Sequence, residues 1–382
     1  MVRKKGNGSL RNIKLLGGAS LFNEIGSEMV SPILPFYITA LGGGGIAIGL
    51  LSGLREGFSS LFKFFGGWFS DKLGKRNPIV LFGYFFSVVF KFLMGIAGSW
   101  QQLVGIISFE RFGKLRDAPR DAMISVATKK HGRDFGLHRL IESIGGIIGI
   151  LLVLFLFWKF EIGFRAIIFV AAGISAFSLV PLFFISESKS KPAKGGLIKG
   201  LKKLDKRLRY LIFTISVFTL ANFGMYMFML LRAQELTHSI IIPIILYALF
   251  TITFAFFAIP FGKLSDKIGR KRVLLTGYVL FLIVTLGFIF FENIWLLGLL
   301  FLIYGVVYAI TDTTQRAYVS DLSGELKGTA HGLYYVSIGL VSVIGGLVAG
   351  YLWEISYITM FAYLSGVAIL AILLLNFLKN TH

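Results

Sequence analysis

GWFSDKLGKR, Gly67 to Arg76, returns as GKLSDKIGRKR, Gly262 to Arg272. Gly67, Asp71 and Gly74 map to Gly262, Asp266 and Gly269 at a constant offset of 195 in a chain of 382 residues. Each copy stands where a long apolar run ends and a cationic loop begins. Like copies at equivalent places in two halves mark a doubled membrane unit. A second echo fits the same alignment. Arg120 returns as Arg316, and Gly136-Leu137 as Gly332-Leu333, each 196 positions later.

Composition agrees. Apolar residues make up 55% of the chain and charged residues 15%, with a mean hydropathy of +0.78. A soluble domain carries about 25% charged residues, so this chain lacks the charge to cover a water-facing surface. The apolar residues come in long blocks such as Ile79 to Val89 and Ile147 to Phe157. Crossing a bilayer takes about 20 residues per helix. Expected helices are 15–41, 46–70, 77–98, 101–122, 136–158 and 163–185 in the first half. In the second half they are 210–232, 240–264, 273–291, 294–318, 328–352 and 356–378. Blocks this long exceed what a barrel strand needs, and a helix satisfies its own backbone in lipid. The expected fold is an all-α membrane protein with twelve transmembrane helices in two pseudo-symmetric six-helix bundles. Residues 1–185 and 210–382 form the bundles, joined by a basic cytoplasmic linker at 186–209. Leu197, Leu201, Leu204 and Leu208 give the linker the spacing of a short amphipathic helix on lipid headgroups; a solvated linker fits its composition equally well.

The net charge is +20. Its distribution excludes nucleic acid as the partner. Lys and Arg crowd alternate loops, as at Lys72, Lys75 and Arg76, whereas Gly42–Gly45, Gly98–Gln102, Glu292–Ile294 and Glu354–Tyr357 are nearly bare. That is the positive-inside pattern. It predicts a multi-pass protein of the cell membrane with both termini cytoplasmic and its basic loops on membrane lipid. Cysteine is absent, which removes disulfides and thiolate sites. No phosphate-binding Gly-x-x-x-x-Gly-Lys-Ser/Thr string, metal-ligand spacing or nucleophile–base arrangement occurs, so the chain is read as a non-enzyme without cofactor or metal.

Twelve helices, a basic central loop and the doubled Gly-x-x-x-Asp-x-x-Gly loop resemble the major facilitator superfamily of secondary transporters over essentially the whole chain. NEIGSEMVSPILPFY (Asn23 to Tyr37) and APRDAM (Ala118 to Met123) look like a prokaryotic branch of it. The resemblance implies two parallel halves that rock about a mid-membrane substrate site, and a monomer. Drug antiporters of the superfamily carry Gly-Pro in helix 5 and Arg followed by Gln and Gly in helix 4. Here Gly145, Gly146 and Gly149 come without proline, and Arg111 is followed by Lys114 and Leu115. Both departures argue against drug efflux.

Intramembrane charges are costly and mark function by default. Glu24 and Glu28 lie one turn apart on helix 1, and Glu56 falls near mid-depth in helix 2. Carboxyls in a poorly hydrated site can exchange a proton or bind a cation. Arg111 and Lys114 share a stripe with Asp121 on helix 4 and can hold an anionic group or the helix 1 acids; a compensated ion-pair cluster is the alternative. Asn222 sits among Met225, Met227 and Met229, whose thioethers suit a variable apolar cargo. Gating is assigned to the doubled loop: Asp71 pairing with Arg76 and Asp266 with Arg270, Gly67 and Gly262 admitting a close backbone, Gly74 and Gly269 making the turn. Arg120 and Asp121, echoed by Arg316 and Asp321, join an inner gate.

The functional expectation is a secondary transporter exporting a small organic solute, driven by protons or another coupling ion. An organic-anion transporter using Arg111 and Lys114 is the alternative, and a non-transporting membrane sensor or scaffold the third reading.

Overall fold

The computed structural model describes residues 5–73, 75–127, 131–185, 204–324 and 326–378, and these are mostly helical, with no strand among them. In chain order the elements are α1 (Lys5–Val30), a 3-10 turn (Ser31–Ile33), α2 (Leu34–Ala40), α3 (Gly45–Leu73), α4 (Asn77–Ile96) and α5 (Trp100–Glu110). A 3-10 segment (Arg111–Arg116) leads to α6 (Asp117–Ala127), α7 (His131–Phe160), α8 (Phe164–Ala176) and α9 (Leu179–Leu182). After the linker come α10 (Lys206–Thr219), α11 (Tyr226–Thr237), α12 (Ile241–Ile268), α13 (Arg270–Phe290), α14 (Ile294–Leu322), α15 (Lys327–Ile355) and α16 (Tyr357–Phe377).

Grouped by apolar run, these make the twelve crossings of the expected fold. Eight are long and apolar enough in themselves: α4, α7, α8 with α9, and α12 to α16. The other four are α1–α2, α3, α5–α6 and α10–α11. They hold all of Glu24, Glu28, Glu56, Arg111, Lys114 and Asn222, and three of the four are interrupted. Pro32 and Pro35 remove backbone donors at the first break. The second break is the 3-10 segment. The third is the non-helical stretch 220–225, where Gly224 takes φ +113°.

Helix starts beside the charge-poor loops are capped by side chains. Ser99 accepts from the Gln102 amide at 3.3 Å, Asn293 from Trp295 at 2.8 Å and Ser356 from Thr359 at 3.0 Å. Each cap satisfies an amide that the helix cannot. Asp205 does the same for α10, accepting from Arg207 at 2.8 Å, so the seventh crossing starts at Lys206 rather than 210. Most of the expected linker, 186–203, lies outside the described residues.

The chain forms two compact units, Met1–Tyr37 with Leu61–Gly195, and Ile38–Ser60 with Gly196–His382. In the first, α1 packs on α7 and α8, and α4 on α8 and the 3-10 segment. In the second, α10 packs on α15 and α16, and α13 on α16 and α14. These are the same pairings, six crossings later. Close contacts recur too. A Cβ on Gly149 would lie 2.3 Å from the Ile25 carbonyl oxygen, and one on Gly345 would lie 2.6 Å from that of Leu220. Small residues let membrane helices approach to this distance, where dispersion replaces the missing hydrophobic drive.

Residues 38–60 belong to the second unit although they precede the first loop motif. The early half of α3 runs along α15 with Gly45, Gly49, Gly53 and Gly57 against Gly350, Gly346, Ser342 and Gly339. The i, i+4 spacing puts all four glycines on one face. The remainder of α3 packs in the first unit.

Candidate functional site

In the first unit, α1 presents Asn23, Glu24 and Glu28 where α7 supplies Gly145 and Gly146. A Cβ on Gly145 would meet the Glu24 Cβ at 3.3 Å, and one on Gly146 the Glu28 Cγ at 3.4 Å. The paired glycines make room for the acids. Glu24 is half-buried and acts electrostatically on Lys91 and Lys114. Lys91 is 2% exposed. Its ammonium donates to Asn23 Oδ1 (3.2 Å), the Asn23 carbonyl (3.3 Å) and Ser175 Oγ (3.0 Å).

The fourth crossing, α5 to α6, brings its own counter-charges. Arg111 is buried against Glu110, which also accepts from Ser87. Lys114 faces Asp117 at 3.8 Å. In a 3-10 segment residues three apart eclipse, so Arg111, Lys114 and Asp117 line up. Asp121, one turn further on, pairs with Arg120 at 3.2 Å. Arg116 is 2% exposed; it donates to the carbonyls of Gly83 (3.3 Å) and Gly113 (2.9 Å) and lies 4.4 Å from the Tyr84 ring centroid.

Arg120 gathers the largest network. It reaches Glu142 of α7 at 2.8 Å, Asp121 at 3.2 Å, Asp117 at 3.8 Å and Ser20 of α1 at 3.3 Å. Ser20 also bonds Tyr84 (2.8 Å) and His138 (3.0 Å). The second unit answers with Tyr278, Gln315 and Tyr334 in one chain of bonds, at 3.4 and 3.2 Å. Arg316 pairs with Asp312 one turn before it. Asp321 is held at 2.9 Å by Arg270, which binds Asp266 as well. This triad joins α12, α13 and α14. Lys271 beside it donates to the carbonyls of Asn376 (2.9 Å) and Leu378 (2.6 Å).

For the first loop copy, Gly74 and the Asp71 side chain lie outside the described residues. Arg76 is buried and donates to the Ala122 carbonyl at 3.4 Å. The close backbone approach falls on Gly66, where a Cβ would lie 2.1 Å from the Leu115 oxygen. Gly67 meets only the Ala118 methyl, at 3.4 Å, and Gly262 has nothing within 4 Å. Successive helix positions differ by about 100° in direction, so a neighbour takes the contact. Gly269 makes the expected turn, at φ +97°.

The break between α10 and α11 forms the second unit's polar centre. Asn222 accepts from the Tyr304 hydroxyl at 2.8 Å. Arg55 donates to the Tyr226 hydroxyl at 2.7 Å, and Ser52 to the Met227 sulfur at 3.0 Å. Across the break lies Glu56, whose Cγ would be 3.7 Å from a Cβ on Gly224. Sequence reasoning passed over Lys91, Glu110, Asp117 and the Ser20–His138–Tyr84 cluster as site components. Lys91 and Asn23 are 68 residues apart, and Ser20 and His138 are 118 apart. The one available signal was a lysine deep in the apolar run of α4.

Broken membrane helices that hold charges and amides, inside a doubled all-helical fold, define a multi-pass membrane transporter. The chain belongs to the Major Facilitator Superfamily, whose sequence profile matches residues 16–244 and 212–382. It is 46% identical over 379 residues to an uncharacterised MFS-type transporter of Methanocaldococcus jannaschii, covering 96% of this chain and 95% of that one. The multidrug resistance protein MdtH of Baumannia cicadellinicola is 23% identical over 86% of this chain and 82% of that protein. A crystal structure of a mutant of the nucleoside transporter NupG superposes with a TM-score of 0.81 over 98% of this chain and 100% of that one, at 15% identity. The human organic anion transporter MFSD10 does so at 0.65 over 96% and 99%, with 17% identity. These structural likenesses establish the fold.

Proposed function

We propose that the chain is a proton-coupled exporter of a small organic solute, working by alternating access. One observation carries this reading: the intramembrane acids differ in whether a basic neighbour answers them. Glu110, Asp117, Glu142 and Asp312 are committed to basic neighbours. Glu24 and Glu56 are half-buried and, among the described residues, stand in no ion pair. A carboxyl held at depth without a fixed counter-charge is available to a proton or a cationic cargo, and its charge state can bias two conformations. Similarity to MdtH, named a multidrug resistance protein, supports export. The anion reading has less support, because Arg111 and Lys114 each face an acid of their own crossing.

Alternating access also needs a contact that comes apart. We assign that role to the glycine-lined seam between the early half of α3 and α15, where backbone lies close against backbone. The inner network of Arg120 and the Asp266–Arg270–Asp321 triad of the second loop motif are assigned to gating at the inner helix ends. The monomeric state, the cytoplasmic termini and the contact of the basic loops with anionic lipid belong to the same proposal.

Reconstituted protein tests it. Glu24→Gln should abolish the dependence of flux on a pH gradient while leaving the protein in the membrane. Proton-driven flux equal to wild type would remove Glu24 from the coupling.

A further inference from the structure

The break at 220–225 carries more chemistry than an exporter of unspecified cargo requires. Discontinuous membrane helices place backbone polar groups at mid-membrane, and here the surroundings are aromatic. Phe250 stands 5.2 Å from Tyr304, 5.7 Å from Tyr308 and 6.4 Å from Tyr226, centroid to centroid. Tyr247 lies 5.4 Å from Tyr226, and Phe254 lies 5.3 Å from Tyr308. Phe250 and Tyr304 are buried behind the cluster. Tyr226, Tyr308, Asn222 and Glu56 are only half-buried and form its approachable face.

Charge decides what this face recognises. The Glu56 carboxylate sits across the break from Gly224 and acts electrostatically on the hydroxyls of Tyr304 and Tyr308. Asp312, the other acid near Tyr308, is occupied by Arg316. Arg55 is turned to the Tyr226 hydroxyl. An anion would meet Glu56 and the negative faces of the rings. An uncharged ring would stack but leave the carboxylate unanswered. A cation with an apolar envelope gains from both, since ring quadrupoles attract cations most where water is excluded.

We propose that the second unit holds a subsite for an organic ammonium or phosphonium cation, with Glu56 as counter-ion, the rings of Tyr226 and Tyr308 as walls and the Asn222 amide at its floor. The inference rests on the transporter reading above and specifies the charge of its cargo.

The test uses purified full-length protein in lipid nanodiscs and radiolabelled tetraphenylphosphonium. Saturable binding is expected, displaced by benzyltrimethylammonium and not by benzoate or uridine. Glu56→Gln should weaken it about tenfold or more, and Glu56→Asp should retain most of it. Tyr308→Phe should stay within about twofold, while Tyr308→Leu should lose about fivefold. Thermal midpoints near wild type certify that each variant is folded. Unaltered affinity in Glu56→Gln, displacement by uridine or benzoate, or no saturable binding would each overturn the subsite. If the cation fails to bind while proton-driven flux of another solute persists, only this inference falls. If no solute flux responds to a pH gradient, the coupled-export reading falls instead.

Discussion

Valine at Gly49 would press on the seam that alternating access must open. A Cβ there would sit 2.0 Å from the Gly346 oxygen and 2.9 Å from the Gly350 Cα. Non-bonded carbons settle at about 3.5 Å or more, so α3 must back away from α15 by about an ångström. Neither neighbour is a flexible side chain, so the backbone itself must yield. Overpacking of this kind costs about 1–3 kcal/mol. If the seam is closed in one state and open in the other, the same amount shifts their ratio about 5- to 150-fold toward the open one. The chain has no cysteine, so Ser342→Cys provides a sole thiol at a position now 4% exposed. Maleimide labelling in membranes should be slow in that background and should accelerate at least fivefold when Gly49→Val is added. Gly105→Val, at a position with nothing within 4 Å, should leave the rate alone. A stable, inserted Gly49→Val protein with unaltered labelling and unaltered flux would refute the assignment of this seam to the transport cycle.

Other substitutions separate structure from mechanism. Glu142→Ala strips the buried Arg120 of its closest carboxylate and should destabilise the protein by about 3 kcal/mol, read as a lowered thermal midpoint. Arg139→Ala, which removes the exposed partner of the same acid, should cost about 0.5 kcal/mol or less. Lys91→Met leaves the Asn23 and Ser175 acceptors of the buried ammonium unanswered and should cost about 1–3 kcal/mol, read as a lowered thermal midpoint. Gly149→Leu drives a side chain into the Ile25 carbonyl and should prevent a monodisperse product on size exclusion, with Gly345→Leu behaving alike.

How much of this was written in the sequence depends on the range of the interaction. The doubling was legible because GWFSDKLGKR and GKLSDKIGRKR are continuous strings. The charge-poor loops at Gly98–Gln102, Glu292–Ile294 and Glu354–Tyr357 were legible as breaks between crossings, and so were the charges inside the first, second and fourth crossings. The interruptions were not. Leu220 to Met225 contains a single glycine and a single asparagine inside an apolar run, and the 3-10 winding at 111–116 has no residue that enforces it. Nor does contiguity say which unit a helix serves: the early half of α3 follows directly on the first crossing yet packs against α15. The choice between Gly66 and Gly67 turns on rotation about one helix axis, which pattern reading resolves only once a neighbour is placed.

Lys271 offers a practical corollary. Its ammonium clasps two carbonyls at the end of α16, where the unfilled acceptors of a helix terminus favour a cation. The last turn is thus fastened by the second loop motif rather than left to fray. Truncation after Leu375 would delete both acceptors, whereas a purification handle attached downstream of Leu378 would leave the clasp whole.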